Sequence, residues 1–437
     1  MANPNIAALT ELYGGTLAWE LAPTQPVFAF EQWSGNNMNN SKFRSGSETR
    51  SHDAPMTAHS GGSYIEHDWT ISNNFSDRLF IFMVAAYDNH QYERSLIVGT
   101  DQPPTYNGVA MTELTAGNET WGTPYRGQMR IYYMVNPPTG TNSFRYTANS
   151  GFTTNGYMRF HYEFSTFYNV DQTNPFKIQL NGATDDAGVF VEGDTASYST
   201  WYSTNPPDGS EQEMKFTAAP GDLVLAWLQH EDYPQFNMEE SFLTDSTGAS
   251  WKRHNYHTSS MKWQSLNMSV PSTASTGEVN LKWKPSSFSS TNQSYDRIEP
   301  RGCTLNAGPS TNLFTVPTGY TVKVNQMYAG STTPGLAITA QVKGLPASGA
   351  SPATLRNADD NADLITAVDN NALANIASGI TITPGQQTKL LTQPLYLTEN
   401  NILAAKVGFG ESYMKDASNM KPAPTATIAV TMEIIKG

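Results

Sequence analysis

The chain has 437 residues and a formal net charge of −13, and 15% of its residues are charged. Residues 304–437 carry eight basic and eight acidic residues, which leaves 18 basic and 31 acidic residues in residues 1–303. Because binding to a phosphate backbone needs clustered lysine and arginine, this distribution argues against a nucleic-acid partner. The single cysteine, Cys303, excludes an intrachain disulfide. The length exceeds what one hydrophobic core sustains, which predicts two domains.

Residues 1–62 are predicted to form an extended N-terminal arm. A short helix is expected at 5–12, and residues 34–62 are almost wholly polar. A stretch with so few apolar residues cannot bury itself. The aromatic residues that precede it favour docking of the arm on another surface: Trp19, Phe28, Phe30 and Trp33. The first residues lack the basic and apolar regions of a signal peptide, and no run approaches the ~18 apolar residues of a membrane helix, so no membrane partner is expected.

Residues 63–284 read as short strands separated by turn clusters. The clearest strands are expected at 78–86, 129–135, 157–167, 223–228 and 279–284. In the last of these, apolar residues alternate with Asn and Lys, which places an apolar row on one face of a sheet. Turns rich in Asn, Pro and Gly, at 136–140 and 205–209, separate the strands. This pattern predicts an antiparallel, jelly-roll-like β-sandwich.

A linker and a second sandwich are predicted after this first one. Residues 285–311 are rich in Ser, Asn, Gly and Pro and carry no apolar row, which is typical of a linker. Residues 312–437 are expected to form the second antiparallel sandwich. Residues 353–377 interrupt its strands with nearly helical spacing, which predicts an inserted loop with one or two helical turns. The closing strand alternates most clearly, with one apolar row at Ala426, Ile428, Val430, Met432 and Ile434. The predicted fold class is all-β, with two sandwiches in series behind an extended arm.

Three stretches of the first sandwich resemble a β-sandwich module that recurs in bacterial surface proteins and in bacteriophage virion proteins. They are the Trp-Thr-Ile-Ser-Asn run at 69–73 followed by Asp-Arg-Leu at 77–79, the Asn-Gly-Val-Ala-Met-Thr run at 107–112, and residues 131–140. The order and spacing match over roughly residues 64–284. The chain departs from the bacterial surface version because it has no tandem copies and no anchoring sequence.

The second sandwich is similar to small sandwich domains of phage head- and tail-associated structural proteins, through residues 313–320 and through 393–397. Together the two resemblances imply a non-enzymatic structural component of a bacteriophage virion, of the capsid decoration, head-fibre or tail-fibre type. They imply a chain made in the host cytoplasm and located in the virion, bound to other virion proteins of the capsid or the tail. Self-association is expected as well, with a trimer as one option, because neighbours usually cover open sandwich edges. The resemblances carry over no functional residue.

Metal-binding motifs are weak in this sequence. His254 and His257 stand three residues apart, and His52, His59 and His67 are loosely grouped, but zinc needs about four converging ligands and there is no second cysteine. An acidic stretch could offer oxygen ligands but lacks the EF-hand spacing: Asp185, Asp186, Glu192 and Asp194. No metal or cofactor is therefore expected.

Catalytic motifs are also missing from the sequence. There is no G-x-S-x-G elbow, and Cys303 falls in the predicted linker without a nearby histidine to lower the pKa of its thiol. Three pairs of acidic residues lie in polar stretches and are interpreted as solvated surface rather than as a glycosidase pair: Glu211 with Glu213, Glu231 with Asp232, and Glu239 with Glu240. No enzyme is expected, and a polysaccharide-degrading activity is the weakest of the hypotheses.

Four aromatic residues are the binding candidates, namely Trp201, Tyr202, Tyr233 and Trp251. They lie in or beside turn-rich segments, where exposed rings could stack on sugars or on partner subunits. The ordinary interpretation is that such residues fill the core of a jelly roll. The alternative function that they support is a carbohydrate-binding adhesion or receptor-binding module, on a phage fibre or a bacterial surface, which attaches to a cell-surface glycan.

Overall fold

A computed structural model describes a large part of the chain, and all regular structure within it is β. The described residues are 15–28, 44–51, 64–73, 76–88, 103–114, 126–147, 157–179, 183–184, 189–191, 212–231, 252–257, 261–272, 277–283, 297–344, 354–356, 363–366, 374–410 and 424–436. They contain no helix with the length and apolar character needed to span a membrane. The all-β prediction is confirmed for these residues, and the helix expected at 5–12 lies outside them.

The described residues form thirty strands. In chain order these are β1 Gly15–Leu21, β2 Val27–Phe28, β3 Arg44–Ser51, β4 Tyr64–Ile71, β5 Leu79–Asp88, β6 Thr105–Tyr106, β7 Val109–Ala110, β8 Thr112–Glu113, β9 Arg126–Val135, β10 Gly140–Thr147, β11 Tyr157–Tyr168, β12 Phe176–Gln179, β13 Ala183–Thr184, β14 Val189–Val191, β15 Gln212–Ala218, β16 Leu223–Glu231, β17 Lys252–His257, β18 Met261–Ser269, β19 Gly277–Trp283, β20 Arg297–Leu305, β21 Thr311–Thr315, β22 Tyr320–Gly330, β23 Leu336–Lys343, β24 Thr354–Arg356, β25 Asp363–Thr366, β26 Ala374–Thr381, β27 Gln387–Lys389, β28 Leu395–Leu397, β29 Ile402–Phe409 and β30 Ala426–Lys436.

The strands assemble into seven sheets. Sheet A has the order β1-β30-β22-β27, with β28 also on β22, and sheet B has the order β2-β11-β5-β9-β8, with β3 also on β11. Sheet C is β4-β10-β6-β7, sheet D is β12-β20-β16-β18-β17, and sheet E is β13-β14-β15-β19. Sheet F is β21-β29-β23-β26, and sheet G pairs β24 with β25. All ladders are antiparallel except the one between β14 and β15.

Sheet B is covered on both faces. Phe80, Phe82 and Val84 of β5 pack in an aromatic core with residues of sheet C, among them Trp69 and Phe144. Leu79, Ile81 and Met83 turn the other way and pack against Leu225 and Trp227 of sheet D. Each of the six residues 79–84 is at most 1% exposed. A strand buried on both faces reads as a continuous apolar run rather than an alternating one, and β5 has that pattern.

Sheets A and F enclose the core of the C-terminal part. In β30 the predicted apolar row is buried at Ala426, Ile428, Val430 and Met432, while Thr427 and Glu433 are exposed, so the predicted alternation is confirmed there. In β22 the register shifts between Val324 and Gln326. Because of this bulge, the buried positions switch from even to odd residue numbers. Val322 and Val324 are buried before it, and Met327 and Ala329 are buried after it.

Two expectations differ from the structure. The helical turns expected within 353–377 are wrong for the described residues, which form β24, β25 and the start of β26. Leu355 pairs with Ile365 and Val342 with Ala374, so strand pairing overrides the helical spacing. Part of the range predicted as a linker forms β20, which pairs along its whole length with β16. The domain boundaries themselves, at 62, 284 and 311, stay predictions.

Candidate functional site

The four aromatic binding candidates, Trp201, Tyr202, Tyr233 and Trp251, lie outside the described residues. The same holds for the acidic residues considered as calcium ligands, Asp185, Asp186, Glu192 and Asp194. The glycan-binding hypothesis therefore stays a prediction from the sequence.

The histidines considered as zinc ligands lie on different sheets where the structure describes their backbone. His254 and His257 lie in β17 and His67 lies in β4, which belong to different sheets. Within the part of the chain that the structure describes, no three His, Cys, Asp or Glu residues are grouped so that they could hold a metal ion.

Cys303 lies in a strand and not in a linker, which corrects the expectation from sequence. It belongs to β20, pairs with Leu225 and is fully buried between sheets B and D. Burial raises the pKa of the Cys303 thiol well above its ordinary value, because the thiolate would lose its hydration. The thiolate is the reactive form of cysteine, so Cys303 acts as a small core residue.

A buried polar cluster occupies one end of the aromatic core. Arg130, 3% exposed, lies 3.5 Å from the carboxylate of Glu113, and its guanidinium donates a long hydrogen bond to Tyr132. Burial raises the pKa of Glu113, an effect that Arg130 opposes. Burial also raises the pKa of Tyr146 well above its ordinary value. The phenols therefore stay protonated at neutral pH, and the cluster holds one ion pair, between Arg130 and Glu113.

Among the described residues, an extensive buried polar network lies where the N-terminal segment meets the other sheets. We call residues 15–28 the strap. Its first half is β1, which pairs with β30 over seven residues, from Gly15 opposite Met432 to Leu21 opposite Ala426. The docking expected from the aromatic residues of the arm is seen at Trp19, which is buried and stacks on Phe314 with ring centroids 6.4 Å apart.

The second half of the strap carries Gln25, whose amide makes four hydrogen bonds. Gln25 Nε2 donates to Ser269 Oγ at 2.5 Å and to the carbonyl of Val270 at 3.1 Å. Gln25 Oε1 accepts from the backbone amide of Phe409 at 2.7 Å and from Ser272 Oγ at 3.3 Å. Both amide hydrogens and both oxygen lone pairs are thus used. We call these five residues the Gln25 junction.

The backbone on either side of Gln25 is held as well. The amide of Thr24 donates to the carbonyl of Val407 at 2.9 Å, and the carbonyl of Thr24 accepts from Gly308 at 2.8 Å. The carbonyl of Gln25 accepts from Asn169 Nδ2 at 3.3 Å. The strap is therefore joined to β29, to the segment after β20 and to the segment after β11.

Close approach of β29 to the junction requires a glycine. A Cβ placed on Gly408 would overlap Ser272 Oγ and touch Gln25 Oε1. Any other residue at 408 would therefore require Ser272 to move. The five residues of the junction are all at most 5% exposed, and none of them is titratable. The junction thus holds segments together by neutral hydrogen bonds, and the hydroxyls of Ser269 and Ser272 are both bonded to the Gln25 amide.

Comparison of the chain with protein-family models, with curated proteins and with solved structures finds no match.

Sequence reasoning missed Gln25. The residue stands between two prolines, Pro23 and Pro26, in a segment that reads as extended chain with turn residues. A glutamine in such a segment is usually exposed. The nearest partner of its side chain is 244 residues away, so no local sequence pattern indicates it.

Proposed function

We propose that the chain is a non-enzymatic structural component of a bacteriophage virion, a capsid decoration or fibre protein that attaches to the particle and to copies of itself. The resemblances in residues 64–284 and 313–397 support this proposal. The observation that carries it is the strap, because its Gln25 joins the N-terminal segment to residues 269–272 and to Phe409 through a buried, uncharged network. A buried network of neutral hydrogen bonds is suited to stabilising a scaffold.

In this proposal the chain forms two jelly-roll-like sandwiches in series, with the arm and the neutral sandwich attached to the particle. The acidic sandwich projects into solvent. The charge distribution supports this arrangement, since residues 304–437 carry equal numbers of acidic and basic residues and the excess of acidic residues lies in 1–303. A neutral surface packs against neighbours at a smaller electrostatic cost than an acidic one.

The test combines the native mass with particle binding. Sedimentation equilibrium of the purified full chain is expected to give a multiple of 47.9 kDa. In gradient centrifugation the chain is expected to sediment with virions of its source phage and not with virions of an unrelated phage. A monomer that stays at the top of both gradients would contradict the proposal.

A further inference from the structure

The partners of the strap all lie far from it in sequence. Its strand pairings and hydrogen bonds, among the described residues, reach from Phe167, opposite Phe28, to Met432, opposite Gly15. Neither the ladders nor these hydrogen bonds join it to the strands that follow it directly, residues 44–147. Within the part of the chain that the structure describes, the strap therefore binds residues that are distant from it in sequence.

The binding surface for β1 is the edge of a sheet. β1 ends sheet A and pairs with β30 alone. Trp19 and Leu21 fill the core between sheets A and F, together with Ile428 and Val430. Without β1, the edge of β30 would present unpaired backbone groups beside an opened apolar core. Such an edge is a template for another strand of matching sequence.

We propose that the strap is exchanged between copies of this chain, so that residues 15–28 of one copy pair with β30 and fill the Gln25 junction of another copy; this rests on the self-association in the proposed function. A second copy carries the same strap, so every pairing and hydrogen bond is reproduced in the exchanged form. Fifteen residues connect Phe28 with Arg44. Their fully extended reach is about 50 Å, which is the upper limit on the distance over which the strap can be exchanged.

The test uses cysteines on facing positions of β1 and β30. Thr16 and Thr431 are paired in the ladder, and their exposed hydroxyl oxygens lie 2.9 Å apart. Full-length Thr16→Cys and Thr431→Cys chains are coexpressed, purified as native oligomers and oxidised. A disulfide between the two chains can form at these positions only when the strap of one copy docks on the other. The native Cys303 is buried, so it does not take part in the oxidation.

A matched control is available within the chain. Thr70 of β4 and Thr141 of β10 are also paired and exposed, with hydroxyl oxygens 2.8 Å apart, but they do not involve the strap. Coexpressed Thr70→Cys and Thr141→Cys chains report disulfides formed by chance encounters. The double variants Thr16→Cys/Thr431→Cys and Thr70→Cys/Thr141→Cys show that each pair can close. Glu20→Cys with Thr427→Cys, two other facing positions of the same ladder, repeats the test.

Exchange is expected to give a several-fold higher yield of covalent dimer for the β1–β30 pairs than for the control pair. A yield equal to the control for both β1–β30 pairs would overturn the exchange. The native mass separates this result from failure of the proposed function: an oligomer without exchanged straps refutes only the exchange, and a monomer refutes the exchange and the self-association together.

Discussion

The backbone amide of Phe409 donates a 2.7 Å hydrogen bond to Gln25 Oε1, which joins residues 384 positions apart in the chain. The bond is buried, and it is one of four made by the same side-chain amide. Phe409 is the last residue of β29, and Gln25 lies between β1 and β2. This contact therefore joins the C-terminal part of the chain to the N-terminal segment.

Replacing Gln25 by Ala is expected to lower the free energy of unfolding by about 2–4 kcal/mol. The change removes the four buried hydrogen bonds of the Gln25 side chain, and each such bond contributes about 0.5–1.5 kcal/mol. Chemical denaturation of the full chain measures the effect. Thr16→Ala, which removes an exposed side-chain hydrogen bond, is the control and is expected to change stability by about 0.5 kcal/mol or less. Equal losses in the two variants would show that the junction adds no stability.

Replacing Gly408 by Ala is expected to destabilise the chain by about 1–3 kcal/mol, because the added methyl overlaps Ser272 Oγ. Gly330→Ala is the control, since a Cβ there meets its nearest atom, the carbonyl oxygen of Gln386, at 3.5 Å. Ser272→Gly makes room for the methyl. The cost of Gly408→Ala should therefore be smaller in the Ser272→Gly background, and thermal unfolding of the four chains gives this coupling. An unchanged cost would exclude the overlap as the cause.

Replacing Trp19 by Ala is expected to lower the free energy of unfolding by about 3–5 kcal/mol, because the indole fills the core beside Phe314. Glu20→Ala changes the next residue of β1, which is exposed, and is expected to have little effect. Denaturant titration measures the stability, and limited proteolysis locates the change. Faster cleavage at the strap in Trp19→Ala, but not in Glu20→Ala, is the expected pattern.

Stability is expected to fall at alkaline pH through Cys303. Its pKa is raised in the folded chain by burial, so above the ordinary thiol pKa, about 8.5, the unfolded chain loses a proton that the folded chain keeps. The contribution is fully present below that pH and decreases by about 1.4 kcal/mol for each pH unit above it. Cys303→Ala should remove this part of the slope between pH 8.5 and 10. The same slope in both chains would show that Cys303 ionises as easily when folded as when unfolded.

The strands with one buried face were predictable from the sequence. Side chains alternate across a strand, so the apolar row of β30 identified its buried residues without any knowledge of its neighbours. The run at 79–84 was predictable as a strand for a different reason, since its continuous apolar residues fit burial on both faces.

Other elements could not be read locally. The apolar residues within 353–377 fit a helical period, but their backbone groups pair with each other and with β23. Cys303 appeared to lie in a linker because its neighbours are polar or small, and Gly302 is small because Phe216 and the carbonyl of Leu225 approach it closely. In both places a partner from elsewhere in the chain decides the structure.

The sequence by itself determined that the described part of the chain is built from strands, and it determined which residues of the clearest strands face a core. Only the tertiary structure decided which strands are neighbours. β1 pairs with β30, and Gln25 meets Phe409, because packing and hydrogen bonding act between segments that meet in space. The alternation of apolar residues along a strand predicts the face on which a residue lies. It does not predict which partner covers that face.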